Sequence, residues 1–220
     1  MSVTPSVYVQ YGCGDCAPSG WQNFDASPRL WIERLPFIGM VGRFASSHPF
    51  PARARWGDIC GGLPISDESA AGVYCSHVLE HLPRNALVSA LSQTRRMLRP
   101  GGIFRAVVPD LEWRARRYVR AATKGDARAA DQFLESCSLG MKDCQTGIIA
   151  LFRRGYGRSA HLWMYDFSGF RALLRDSGFV NVRRCTLGDS ADPMFARVED
   201  RARFFEGDAP ELAVEAVRPM

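Results

Sequence analysis

At 220 residues the chain is long enough for one α/β domain with a sizeable core and room for an inserted helical segment. No apolar run reaches the length of a membrane span and the N-terminus lacks a basic-then-apolar signal pattern, so the expectation is a cytoplasmic protein. The net charge of +5 is carried almost wholly by arginine, Lys124 and Lys142 being the lysines, a balance that suits nucleic acid, an anionic substrate or a solvated surface.

Residues 6–11 read as a first strand running into Gly12-Cys13-Gly14, where glycines let the backbone turn sharply and let a ligand come close. Gly12, Gly14 and Ala17 also fit the dinucleotide spacing G-x-G-x-x-G/A. That fingerprint needs a helix starting at the turn to hold a pyrophosphate, and Pro18-Ser19-Gly20 argue against one. Asp25 also follows Gly14 too soon for the usual ribose acid, so NAD is disfavoured. Cys13-x-x-Cys16 has no second Cys/His pair of matching spacing, and the seven cysteines read as reduced thiols with no metal expected.

Residues 21–25 read as a short second strand ending in Asp25, placed either to accept hydrogen bonds from ribose hydroxyls or to cap the turn that follows. Residues 27–55, broken by Pro28, Pro36, Pro49 and Pro51, predict a loop-rich segment with one short helix near Leu30 to Leu35. Asp58 lies just before Gly61-Gly62 and reads equally as a turn residue or as a ligand-binding acid.

The centre of the chain is the most regular part. Gly72-Val73-Tyr74-Cys75 predicts a strand, and apolar residues at Ala86, Leu87, Ala90, Leu91, Met97 and Leu98 predict an amphipathic helix behind it. Pro100-Gly101-Gly102 reads as the helix stop and residues 103–108 as the next strand. A strand, a crossover helix and a strand make a right-handed unit of a parallel sheet. Ser76 and His77 then fall on the carboxyl edge, where ligands of open α/β sheets bind. His77 is a candidate general base or a packing residue; Glu80 and His81 read as structural. Asp110, at the end of the following strand, is a candidate base, a substrate anchor or the N-cap of the next helix, with capping preferred.

Beyond it, residues 111–122 predict a helix, Lys124-Gly125-Asp126 a turn, and residues 127–158 one or two further helices ending in an arginine- and glycine-rich stretch. His161 and Tyr165 are candidates to line an acceptor pocket, or core residues. Asp166 predicts an N-cap and Gly178 the stop of a helix buried through Phe170, Leu173 and Leu174. Residues 179–185 and 211–217 predict two last strands that pair antiparallel, because no regular crossover helix separates them.

Ser76-His77-Val78-Leu79-Glu80-His81-Leu82 followed by Arg96-Met97-Leu98-Arg99-Pro100-Gly101-Gly102 resembles the S-x-VLEHL … R-x-LRPGG signature of class I S-adenosylmethionine-dependent methyltransferases of the type 11 kind. The residues from Leu63 to Ser69 resemble the same family's LPF-x-D-x-S connection. Gly12-Cys13-Gly14 followed by Gly20-Trp21-Gln22-Asn23-Phe24-Asp25 resembles a subgroup with a shortened first crossover, although Gln10 and Cys16 stand where an acid or Asn and a third glycine are usual. The resemblance implies a Rossmann-like, doubly wound, mostly parallel seven-stranded sheet with an antiparallel last strand, forming a single methyltransferase domain over 1–220. A helical insertion at about 123–160 would cover the acceptor site. It implies S-adenosylmethionine as cofactor, held by Tyr11, Gly12, Cys13, Gly14, Asp25, Asp58, Ile59 and Ser76, with Asp58 and Ile59 at the adenine. His77, Asp110 and His161 are then the catalytic candidates and a small molecule or glycan the acceptor. Two rival expectations are a nucleoside-binding fold that has lost catalysis and serves as a partner protein, and an arginine-rich nucleic-acid-binding protein. The second is disfavoured because aromatic and basic residues do not interleave.

Overall fold

A computed structural model of the chain describes residues 6–34, 49–139 and 161–220. Its strands, numbered in chain order, are β1 (Val7–Tyr11), β2 (Gln22–Asp25), β3 (Ala54–Trp56), β4 (Ala70–Ser76), β5 (Leu98–Val108), β6 (Val180–Arg184), β7 (Phe205–Glu206), β8 (Ala209–Pro210) and β9 (Leu212–Val217). Seven of them form one sheet in the order β3-β2-β1-β4-β5-β9-β6, and β7 and β8 pair as a separate ribbon. From β3 to β5 all neighbours are parallel, whereas β9 lies antiparallel between β5 and β6. The expected Rossmann-like sheet with an antiparallel last strand is therefore what forms.

The helices are α1 (Pro28–Glu33), α2 (Arg84–Met97), α3 (Leu111–Thr123), α4 (Ala129–Ser136), α5 (Phe167–Asp176) and α6 (Arg201–Phe204). All seven residues of β4 are buried, as a strand covered on both faces requires, which is why its sequence is small and apolar rather than alternating. On one face Val9, Tyr11, Val73, Cys75 and Ala106 pack with Leu87, Leu91 and Met97 of α2 and Phe170 and Leu174 of α5. On the other, Tyr74, Val107 and Ala213 meet Trp21, Phe195, Val198 and Phe204. That second cover is not a long helix. It comes from the irregular chain between β6 and β9, a 3-10 turn at Pro193–Arg197 followed by the four-residue α6.

Two boundaries differ from the sequence reading. Helix α2 ends at Met97 and β5 begins at Leu98, so Pro100-Gly101-Gly102 lies inside the strand rather than ahead of it. Leu98 pairs with Ala70 and Ile103 with Gly72, and the extra residues between them form a bulge in which Gly101 takes φ +73°. Of the expected helical insertion, Ala129–Ser136 is helix, while residues 140–160, with the arginine- and glycine-rich stretch, lie outside the described residues. Among the described residues no helix is long and apolar enough to cross a membrane.

Candidate active site

Strand order reverses at β1, with β2 and β3 leaving to one side and β4 and β5 to the other. In an open α/β sheet that leaves a crevice at the carboxyl ends, because the connections diverge and no helix fills the gap. Gly12 follows β1, Asp25 ends β2, Asp58 stands just past β3 and Ser76 ends β4. All four border one cavity of about 700 Å3, with Tyr11, Gly14, Ile59 and His77 beside them.

The walls are fixed by main-chain geometry. Gly12 has φ +66°, and a Cβ there would stand 2.1 Å from Cγ2 of Val78, so no other residue fits the turn. Gly14 has φ +56° with nothing within 4 Å of a built Cβ, leaving its backbone open to a ligand. Asp25 ties this loop together: Oδ2 accepts from the Gly14 amide at 3.0 Å and Oδ1 from the Ser27 amide at 2.8 Å. Each oxygen keeps further lone-pair capacity. The Gly57 amide donates to the Asp25 carbonyl at 3.1 Å, which brings the loop after β3 alongside β2. Asp58 Oδ1 accepts from the Cys60 amide at 2.9 Å, so the residue is a turn former and a cavity residue at once.

Cys13 is the one expected cofactor residue that does not line the cavity. It is fully buried in a small cluster with Leu30, Phe50 and Ala54, and burial pushes its thiol up to about 12. Its carbonyl accepts from Arg203 Nη2 at 2.9 Å. Arg203, together with Asp200 and Ala202, closes the far side of the cavity. These wall residues were missed in the sequence. Asp200 shows only as the cap of a four-residue helix, accepting from the Arg203 amide at 3.0 Å.

Among the three catalytic candidates, only His77 reaches the cavity. It sits at φ +54°, with Nε2 3.1 Å from the Arg203 carbonyl and Nδ1 3.3 Å from Glu80 Oε1. Burial alone would lower its pKa, but the Glu80 carboxylate and the Arg203 carbonyl hold it above the usual imidazole range. Each ring nitrogen therefore faces an oxygen of the protein rather than standing free. Asp110 stands away from the cavity: Oδ1 caps α3 by accepting from the Trp113 amide at 3.0 Å, and Oδ2 pairs with Arg184 at 3.1 Å. His161 packs edge-on against His81, with ring centroids 5.1 Å apart, and does not line the cavity.

No helix starts at the glycine turn, since residues 12–21 connect β1 to β2 without one, and so the pyrophosphate cradle of a dinucleotide fold is not built. What remains is a recess sized for a nucleoside and its substituent. Residues 40–106 match the family described as a methyltransferase domain. A solved S-adenosylmethionine-dependent methyltransferase from Methanosarcina mazei superposes at a TM-score of 0.53 and 16% identity, covering 99% of this chain and 95% of that one. Over residues 40–106 the chain is thus similar to a methyltransferase domain, and its sheet has the fold of a solved S-adenosylmethionine-dependent methyltransferase.

Other solved methyltransferases are similar at lower scores. One from Thermotoga maritima, described as a possible histamine N-methyltransferase, gives a TM-score of 0.49 and 14% identity over 99% of this chain and 84% of that chain. Phosphoethanolamine N-methyltransferase 2 from Haemonchus contortus gives 0.48 and 14% over 99% of this chain and 49% of that chain. No curated protein sequence matches the chain. The cavity fits the cofactor: Gly14 leaves room for close approach, Asp25 is held rigid by two amides with lone pairs to spare, and the volume lies within the ~300–1,000 Å3 common for small-ligand sites.

Proposed function

We propose that the enzyme methylates a small molecule or a glycan, with the donor held by Tyr11, Gly12, Gly14, Asp25, Asp58, Ile59 and Ser76 and the acceptor entering beside His77. The observation that carries this reading is the convergence of four strand ends, at Gly12, Asp25, Asp58 and Ser76, on one recess. S-adenosylmethionine, when bound, supplies a methyl group already activated by the positive sulfur. Asp25 accepts from the ribose hydroxyls, and Asp58 with Ile59 faces the base. The remaining task of the chain is to hold the acceptor in line and to keep water out. Such positioning alone is worth up to about 7–11 kcal/mol of barrier.

His77 is not the proton acceptor in this scheme. Its paired nitrogens make it a fixed polar wall, and the acceptor loses its proton to solvent or to another group after transfer. A recessed cavity of this size favours an acceptor slender enough to reach the floor over a folded macromolecule. Calorimetric titration with S-adenosylmethionine and S-adenosylhomocysteine tests the site. One molecule per chain is expected, with Asp25→Ala weakening binding by roughly 10- to 100-fold through the loss of about 1.5–3 kcal/mol of charge-assisted bonds. Absence of binding by the wild-type chain overturns the site, and wild-type affinity in the variant removes Asp25 from it.

A further inference from the structure

Three of the four histidines converge on one fully buried carboxylate. Glu80 has no exposed surface, and neither oxygen finds a hydrogen bond among the described residues. Its neighbours are imidazoles: His77 Nδ1 stands 3.3 Å and His81 Nε2 3.9 Å from Oε1. Both contacts are at ion-pair distance but neither is a hydrogen bond, and a buried carboxylate is costly unless it is well paired or coordinates a cation. One donor atom from each of Glu80, His81 and His161 lies within 4.8 Å of the others.

We infer that Glu80, His81 and His161 bind a divalent transition-metal ion of the zinc class. Around a tetrahedral ion, donors about 2.0–2.2 Å from the metal stand roughly 3.3–3.6 Å apart, so binding draws the set in by about 1 Å. Two imidazoles and a carboxylate select zinc or its neighbours over magnesium or calcium, which take oxygen ligands. His161 is suited to the role. Its Nδ1 is buried without a hydrogen bond among the described residues, which leaves that nitrogen available to a ligand.

The frame is also rigid. The amides of Leu162 and Trp163 donate to the Glu80 carbonyl at 2.8 and 3.0 Å, stapling the His161 segment to the Glu80-His81 turn by main chain alone. Arg84 lies over the Trp163 ring at 4.4 Å and holds the same corner from the first turn of α2. His81 also lines the cavity, so the proposed site borders it. The sequence reading expected no metal, because Cys13-x-x-Cys16 has no second Cys/His pair of matching spacing, and it took Glu80 and His81 as structural.

The test is metal binding by the whole chain with no methyl donor present. After treatment with a chelator, the protein is titrated with Zn2+ alone against a chromophoric competitor, and with Co2+ read by its visible absorption. One ion per chain is expected. His161→Ala and His81→Ala should each weaken Zn2+ binding by more than about 100-fold, beyond the 10–100-fold typical of an outer-shell partner. Cys16→Ser should leave it unchanged. Retained S-adenosylmethionine binding by His161→Ala shows that the variant is folded, and it separates this outcome from failure of the donor site. No stoichiometric Zn2+ in the wild type, wild-type affinity in both histidine variants, or loss of binding in Cys16→Ser overturns the inference.

Discussion

Gly12 shows how much one position decides. Its backbone is left-handed and its missing side chain is what lets Val78 lie against the turn. Gly12→Ala meets both obstacles, strain at positive φ and a 2.1 Å contact with Val78, whereas Gly14→Ala meets the strain alone. Gly12→Ala should cost about 1–3 kcal/mol of stability and abolish donor binding, while Gly14→Ala should cost nearer 1 kcal/mol. Urea unfolding and calorimetry on the two variants measure the difference. Equal donor affinity in Gly12→Ala and the wild type would mean that the turn after β1 is not part of the cradle.

At the scale of elements, α5 is held by a local device that can be removed cleanly. Asp166 Oδ1 accepts from the Gly169 amide at 2.7 Å in an exposed position. Asp166→Ala should therefore cost about 1 kcal/mol, seen as a fall of about 2–4 °C in the melting midpoint by circular dichroism. Such devices are what a sequence states openly. Asp166 and Gly178 bracket α5 and Asp110 opens α3, as the capping chemistry implied. The central strand, a continuous run of small apolar residues, α2, with its helical period, and the final antiparallel pair, which no regular crossover helix separates, were equally legible. The start of β5 was not, since Pro100-Gly101-Gly102 serves a strand bulge as readily as a helix stop. In the candidate site, Gly12, Asp25, Asp58 and Ser76 could be read because strand ends follow from strands. The burial of Cys13 could not be read, because two flanking glycines do not reveal that the thiol between them turns into the core. The wall made by Asp200 and Arg203 had no local pattern at all; it exists only because the chain between β6 and β9 folds back over the sheet.

That fold-back is secured across the whole molecule by Arg105, a β5 side chain with 1% of its surface exposed. Its Nε donates to Glu199 Oε1 at 2.6 Å, Nη1 to Asp189 Oδ1 at 3.0 Å and Glu215 Oε2 at 2.5 Å, and Nη2 to the Thr186 carbonyl at 3.2 Å. One guanidinium thus binds β5, β9 and both ends of the segment that leads to Asp200 and Arg203. Without it, Asp189 and Glu215 would still have Arg183, which lies 2.9 Å from Asp189 Oδ2 and 2.8 Å from Glu215 Oε1. Glu199 would keep only the Gly188 amide at 3.2 Å while remaining buried. Arg105→Met should therefore destabilise the fold by about 3–5 kcal/mol, and Arg105→Met with Glu199→Gln should recover most of it, because no bare charge is left inside. Burial already holds the Glu199 pKa above the ordinary carboxylate range against the opposing pull of Arg105, and removing the arginine raises it further. A raised acid costs stability above its pKa and is relieved on protonation, so the deficit of Arg105→Met should shrink from about pH 7 to about pH 5. Asp189 does not interfere over that range: burial alone would raise it, but Arg183, the Thr186 amide and Arg105 hold it at about 2, and the first two remain in the variant. Urea midpoints for the single and double variants across that range decide the matter, and a deficit independent of pH, or not reduced by Glu199→Gln, would show that Arg105 acts by packing rather than by neutralising Glu199.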